Sequence, residues 1–302
     1  MKLEGRQGSR NIDDRRGRRG GGRGGFSRRG KAAGGIGIGT IIVALIVLFL
    51  GGDPGSFLGV ADGGGGTSIP APAGPSTGGL ADDSDPNARI VSVTLRETEK
   101  IWGQLFPREY DRQYREPTLV LFSGQDRSAC GFASAATGPF YCPADQQVYI
   151  DLSFADLLRQ RFRAPGDFAL AYVVAHEVGH HIQNQLGYSQ QVSQARRRLP
   201  ERDANQMSVR LELQADYLAG VWAHYADRSS GLLSEGDIEE ALTAASAIGD
   251  DRIQKQSQGY VVPDSFTHGT SEQRVTSFYA GYESGDASKE ALDYFFGRNF
   301  NL

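Results

Sequence analysis

The chain of 302 residues has only two cysteines, Cys130 and Cys142, and no CxxC pair. That excludes a thioredoxin-type redox motif and a cysteine-based zinc ribbon. No internal repeat is visible, so a solenoid or propeller is excluded as well. Histidine is scarce: there are five, and three of them fall in the stretch "AHEVGHHI", residues 175–182. Long hydrophobic runs are also scarce, since a single uncharged run covers residues 32–52.

The net charge of −4 conceals an asymmetry. Residues 1–31 hold eleven Lys/Arg and three acids, a net of +8, which leaves −12 for the rest. Composition predicts a disordered basic arm over 1–31. Arg/Gly-rich tails bind RNA, but an arm directly before an apolar run is explained more simply by membrane topology and anionic lipid. Nucleic acid is therefore not an expected partner. The run 32–52 is 21 residues without a charge, enough for one transmembrane helix. The expectation is a single-pass anchor with the N-terminus in the cytoplasm and the acidic body outside it. The sequence after it, 53–88, is rich in Gly, Pro and Ser and reads as a flexible linker. In an oxidising compartment Cys130 and Cys142 would form one small-loop disulfide, contributing about 3 kcal/mol in the chain-entropy model.

The body, 89–302, is long enough for one sizeable core. Val91, Leu95, Thr98, Trp102 and Leu105 recur at helical spacing, and this helix should stop near Pro107. Strands are expected at 117–124 and 147–152, with a loop between the cysteines. From Gly166 the pattern turns helical. Asp167 is placed to cap a helix and Gly187 to end it, and its first half is apolar nearly all round, as in a central helix. Further helices are expected over 190–198, over 203–225, after Ser234 and Thr270, where capping pairs occur, and near the C-terminus. The fold class is α+β and mostly helical, with a small sheet ahead of the central helix.

On that helix His176 and His180 are four apart and share a face. Both imidazoles can turn to one ion, and Glu177 can reach a water bound to it. A catalytic zinc site needs a third protein ligand and an open position. The metzincin pattern would require histidine at 186, which is Leu186. The gluzincin pattern requires a glutamate on a later helix, often with an acid four residues on, and "LELQADYLAG" supplies Glu212 and Asp216. Asp216 is placed to accept a ligand histidine's second N–H. His224 is a weaker third-ligand candidate, and His181 points to another face and reads as structural. His268, just before a helix start, is a candidate donor to a developing oxyanion, with Arg274 as a possible orienter.

The phrases "EGRQGSRNIDDRRG", "GPFYCPADQQVYIDLSF", "VVAHEVGHHIQNQLG", "RLELQADYLAGVWAH" and "HGTSEQRV" give the whole length a close likeness. The sequence resembles the bacterial neutral zinc metallopeptidase family, the YpfJ-like membrane proteins. The resemblance implies a zincin-type body, Zn²⁺ as cofactor and a protein or peptide substrate. It implies His176, His180 and Glu212 as ligands and Glu177 as the catalytic residue. In gluzincins generally an edge strand upstream of the active helix holds the substrate backbone, and 147–152 is the expected equivalent. The competing reading is a non-catalytic, zinc-stabilised envelope binding or scaffolding protein.

Overall fold

The structure, a computed structural model, describes residues 1–17, 78–134 and 138–300. The expected span 32–52 and most of the linker lie outside the described residues. Among those described, no helix is long and apolar enough to cross a membrane.

The sequence forms β1 (Ile12–Asp14), α1 (Pro86–Tyr110), β2 (Thr118–Phe122), β3 (Gln125–Ser128), β4 (Gly131–Ser134), β5 (Phe140–Cys142) and β6 (Gln147–Asp151). Helices follow: α2 (Phe154–Gln160), α3 (Asp167–Leu186), α4 (Tyr188–Arg196), α5 (Glu201–Arg228), α6 (Asp237–Ala247), α7 (Asp250–Gln258), α8 (Ser271–Ser284) and α9 (Lys289–Tyr294). The body is thus a mostly helical α+β fold with a small sheet.

The main sheet has the order β1-β2-β6-β5. β1, β2 and β6 run parallel and β5 is antiparallel to β6. β2 and β6 are buried along almost their whole length, as strands covered on both faces should be. One face packs into the main core with α1 and α3. The other carries Val120, Phe122, Phe140, Cys142 and Tyr149, with Ala133 of the β3–β4 hairpin over them. The Cys130–Cys142 disulfide ties that hairpin to β5, and among the described residues the stretch between the cysteines holds β4 and most of β5 where a loop was expected.

Four differences from the sequence reading have clear causes. β6 is paired on both sides, so 147–152 is not an edge; the edges are β1 and β5. Among the described residues, the main-sheet edge that packs near α3 is therefore β5. Residues 1–17 are not a disordered arm. Leu119 N–H donates to Asn11 and Arg15 N–H to Leu121, Ile12 is fully buried, and Arg15 and Arg16 pair with Asp126 and Asp85. Arg15 and Arg16, which composition assigns to a solvated arm, meet acids of the body instead. Gly79 bridges Asp13 and α1 starts at Pro86, so the folded part begins before residue 89. Finally, α1 runs through Pro107 to Tyr110. Proline forfeits one bond, to the carbonyl four residues back, and that residue is the exposed Gly103.

α3 starts at Asp167, but Asp167 does not cap it; its carboxylate accepts from the Met1 amine. Glu240 of α6 takes the capping role, accepting from Phe168 N–H at 3.0 Å. Gly187 ends the helix in the left-handed region, φ +94°, where glycine carries no Cβ penalty. Ser234 N–H donates to Asp237 ahead of α6, and Thr270 and Gln273 form a reciprocal capping box on α8. α5 is sandwiched between α3, α4 and α8.

Candidate metal centre

The approach of α3 to α5 decides the site. A Cβ on Gly179 would lie 3.0 Å from the Ala215 carbonyl oxygen. The absence of a side chain there lets the two backbones come close, and His180 beside it, with His176 and Glu212 about one turn earlier on their helices, are presented to each other. One donor atom of each of these three lies within 4.8 Å of the others. His176 Nε2 is 3.2 Å from Glu212 Oε2, and His180 Nε2 is 3.5 Å from Glu212 Oε1. His176 and Glu212 are buried and His180 nearly so.

The remaining ring nitrogens are already engaged. His176 Nδ1 lies 2.8 Å from Asp216 Oδ1, and His180 Nδ1 lies 2.8 Å from Gln183 Oε1. Both partners are acceptors, so each Nδ1 carries the hydrogen and each Nε2 turns a lone pair toward Glu212. Two lone pairs facing a carboxylate require positive charge between them. Protons can supply it. Burial opposes charge on His176, but Asp216 and Glu212 raise it to about 10. Burial likewise opposes charge on His180, and Glu212 raises it. Burial would raise Glu212, but His180 and His176 hold it well below the ordinary carboxylate range. A divalent cation satisfies the same three atoms at once, so the donor set fits a metal. Two histidines and one glutamate are among the donor sets that zinc takes where three protein groups bind it.

Asp216 is fully buried beneath His176. Arg274 donates to it from Nε at 2.8 Å and Nη2 at 3.0 Å, and Tyr172 O–H donates at 2.5 Å. Burial would raise its carboxyl; Arg274 and then His176 bring it down to about 2. It therefore stays ionised and fixes the His176 ring. Arg274 consequently orients His176 through Asp216 rather than His268, which differs from the sequence expectation.

Glu177 is buried in the same cavity, with Pro139, Phe154, Phe162, Val173, Ile248 and Ile253 as its apolar walls and His176, Glu212, His268 and Arg274 as its polar groups. Burial pushes the Glu177 carboxyl up, and the two histidines and a backbone hydrogen bond from Tyr141 of β5 oppose this. His268 reaches the cavity from the loop before α8. Asp250 builds that loop: its Oδ2 accepts from the N–H groups of Thr267, His268 and Gly269 at 2.7, 2.7 and 3.2 Å. Its Oδ1 is 3.1 Å from His268 Nδ1. Burial lowers the basicity of His268, but Asp250 raises it above the ordinary value.

The other two histidines lie elsewhere. His181 packs against Tyr141 and Tyr114, with its nitrogens near Tyr141 Oη, Arg115 O and Gln185. Burial pushes it down to about 4, so it is neutral. His224 is not in the ligand cluster. Its Nδ1 donates to the Tyr282 carbonyl, which corrects its reading as a third ligand. Tyr172, Gln183 and Asp250 belong to the site and were not singled out by sequence. Only Asp250 carried a signal, as an acid opening a helix after glycine.

A helix bearing His-Glu-x-x-His, joined by a glutamate from a later helix, places a three-residue cluster that could hold a metal ion on this α+β frame. The family described as "Putative neutral zinc metallopeptidase" matches residues 1–291, and the chain belongs to that family. It is 46% identical over 295 residues to the uncharacterized protein YpfJ of Escherichia coli K12, covering 96% of this chain and 97% of the relative. It is 44% identical over 206 residues to the uncharacterized protein Rv2575 of Mycobacterium tuberculosis H37Rv, covering 65% of this chain and 67% of the relative. No solved structure matches it.

Proposed function

We propose that the protein is a zinc-dependent peptidase that hydrolyses peptide bonds in proteins or peptides. One observation carries the reading: His176 and His180 turn their Nε2 atoms to Glu212 while each Nδ1 is held by its own acceptor. His176, His180 and Glu212 would hold the ion. When bound, zinc supplies a Lewis acid that makes a water nucleophilic near neutral pH and polarises the substrate carbonyl.

The protein's own groups do the rest. Glu177, raised by burial, takes the proton of the attacking water and returns it to the leaving amine. His268 donates to the oxyanion as it forms, and Asp250 holds His268 in place and favours its charged form. Asp216 and Arg274 fix His176. The edge strand β5 is available to hold the substrate backbone by strand addition, with Pro139 just before it in the cavity wall. The apolar walls exclude bulk water and strengthen each of these interactions. The Cys130–Cys142 disulfide supports action in an oxidising compartment outside the cytoplasm.

Glu177→Gln tests the reading. The variant is expected to bind zinc as wild type does and to lose about 10²–10⁴-fold in peptide hydrolysis. Equal activity in the two proteins, or equal envelope proteomes of cells carrying them, overturns the enzymatic role and leaves a zinc-stabilised binding protein.

A further inference from the structure

We propose that Gln183 is the positioning residue that sets the metal-binding nitrogen of His180; this rests on the zinc reading above. Gln183 is fully buried. Its Nε2 donates to the Leu211 carbonyl at 2.6 Å and to Gln214 Oε1 at 3.0 Å, and Gln214 Nε2 donates in turn to the Leu292 carbonyl at 2.9 Å. Carbonyl oxygens only accept, so both amides are fixed end for end. Gln183 must therefore present Oε1 to His180 Nδ1, 2.8 Å away. The hydrogen of His180 is held on Nδ1, and Nε2 is left as a ligand lone pair facing Glu212. The same amide grips the backbone at Leu211, the residue before Glu212. Gln183 thus ties a ligand on α3 to a ligand on α5 through one rigid group, anchored at its far end to α9.

A purely structural glutamine would satisfy the buried carbonyl and nothing more. Three variants in the full chain separate the two roles. Gln183→Met removes the acceptor and both donors. Gln183→Glu keeps an acceptor for His180 Nδ1 and loses the donors. Gln214→Met removes the far end of the relay and leaves the His180 contact. The readout is the zinc dissociation constant, by competition with a chelator, alongside the melting temperature of the zinc-free protein. Gln183→Met is expected to weaken zinc by about 10–100-fold, the usual range for a group that orients a ligand histidine. Gln183→Glu and Gln214→Met are expected to stay within about threefold of wild type while melting lower. Zinc binding by Gln183→Met equal to wild type overturns the proposal. So does a loss of about tenfold or more in Gln183→Glu or Gln214→Met, and these two arms decide it should Gln183→Met not fold. Wild type that binds no zinc fails at the metal reading instead, so the two failures are distinct.

A second inference stands on a different observation. We infer that residues 1–17 and the metal-site body lie on the same side of any membrane the chain meets. β1 is a strand of the main sheet, in register with β2 from Ile12↔Leu119 to Asp14↔Leu121. Lys2 N–H donates to Leu232 and Ser9 N–H to Ser92. Arg6 pairs with Glu97, which is buried in α1, and donates to the Ser230 carbonyl. These contacts reach three separate parts of the body, and a single crossing between residue 17 and residue 78 would break all of them. An N-terminus across the membrane from the body, as charge alone predicts, is incompatible with this pairing.

Single cysteines at exposed Gly5 and at exposed Ser257, introduced separately in the full chain, test this with a membrane-impermeant maleimide on intact cells. Permeabilised cells provide the full signal. Labelling of both positions, or of neither, is expected. Labelling of one position and protection of the other overturns the inference.

Discussion

His180 and His181 are neighbours on one helix, His181 buried and His180 nearly so, yet their surroundings drive them in opposite directions. His180 faces Glu212 and gains basicity from it; His181 faces tyrosine rings and is pushed down to about 4. A step of 100° round the helix separates a pocket built around negative charge from an aromatic one. The residue type made both of them candidates. The opposing element, α5 for one and β5 with the loop before β2 for the other, decides which can hold a cation.

The sharpest way to break the comparison is to exchange the two losses. His180→Gln is expected to reduce zinc affinity by more than about 100-fold, beyond what loss of an orienting partner costs. His181→Gln is expected to leave it within about threefold, as measured by chelator competition. A loss of zinc in His181→Gln equal to that in His180→Gln would place both in one site and contradict the geometry.

Next in size is Asp216→Asn. The asparagine can still meet His176, but Arg274 keeps its charge in a buried setting with no anion beside it. Leaving a buried charge unpaired costs about 3–5 kcal/mol, and zinc affinity should fall by about 10–100-fold. Denaturant unfolding and zinc titration check the two together. Unchanged stability would show that Arg274 has another counter-charge.

The smallest effect is one of pH. His181 has a folded value near 4 against an ordinary value near 6.5. Between these the unfolded chain binds the proton and the folded one does not, so stability falls as pH drops from about 6.5 to about 4 and is fully present above that window. The contribution is at most about 3 kcal/mol. His181→Gln should flatten the stability–pH curve over that window, as read by unfolding at several pH values. A curve parallel to wild type would show that His181 is already charged in the fold.

Much of the site was legible because helical periodicity is a sequence property. The four-residue spacings of His176 with His180 and of Glu212 with Asp216 place each pair on one face whatever the tertiary fold, and Leu186 excluded the other zincin spacing. Thr270 with Gln273 announced α8 in the same local way. Gln183 was not legible, and Asp250 only as an acid opening a helix, because their roles come from contacts with α5 and with the loop at 267–269, which no local pattern specifies. β1 was hidden for another reason. Ile-Asp-Asp is short and polar, and the arginines that follow it are paired both with its own Asp13 and Asp14 and with the distant Asp126 and Asp85. The order of the sheet, with β5 rather than β6 at the edge, is likewise decided by pairing and not by either strand's composition.

The most direct test of the account is zinc analysis of the purified full chain, residues 1–17 included, for wild type, Glu177→Gln and Glu212→Ala. One zinc per chain is expected in wild type and Glu177→Gln, and loss of it in Glu212→Ala. Zinc absent from folded wild type, or retained at full occupancy in Glu212→Ala, would contradict it.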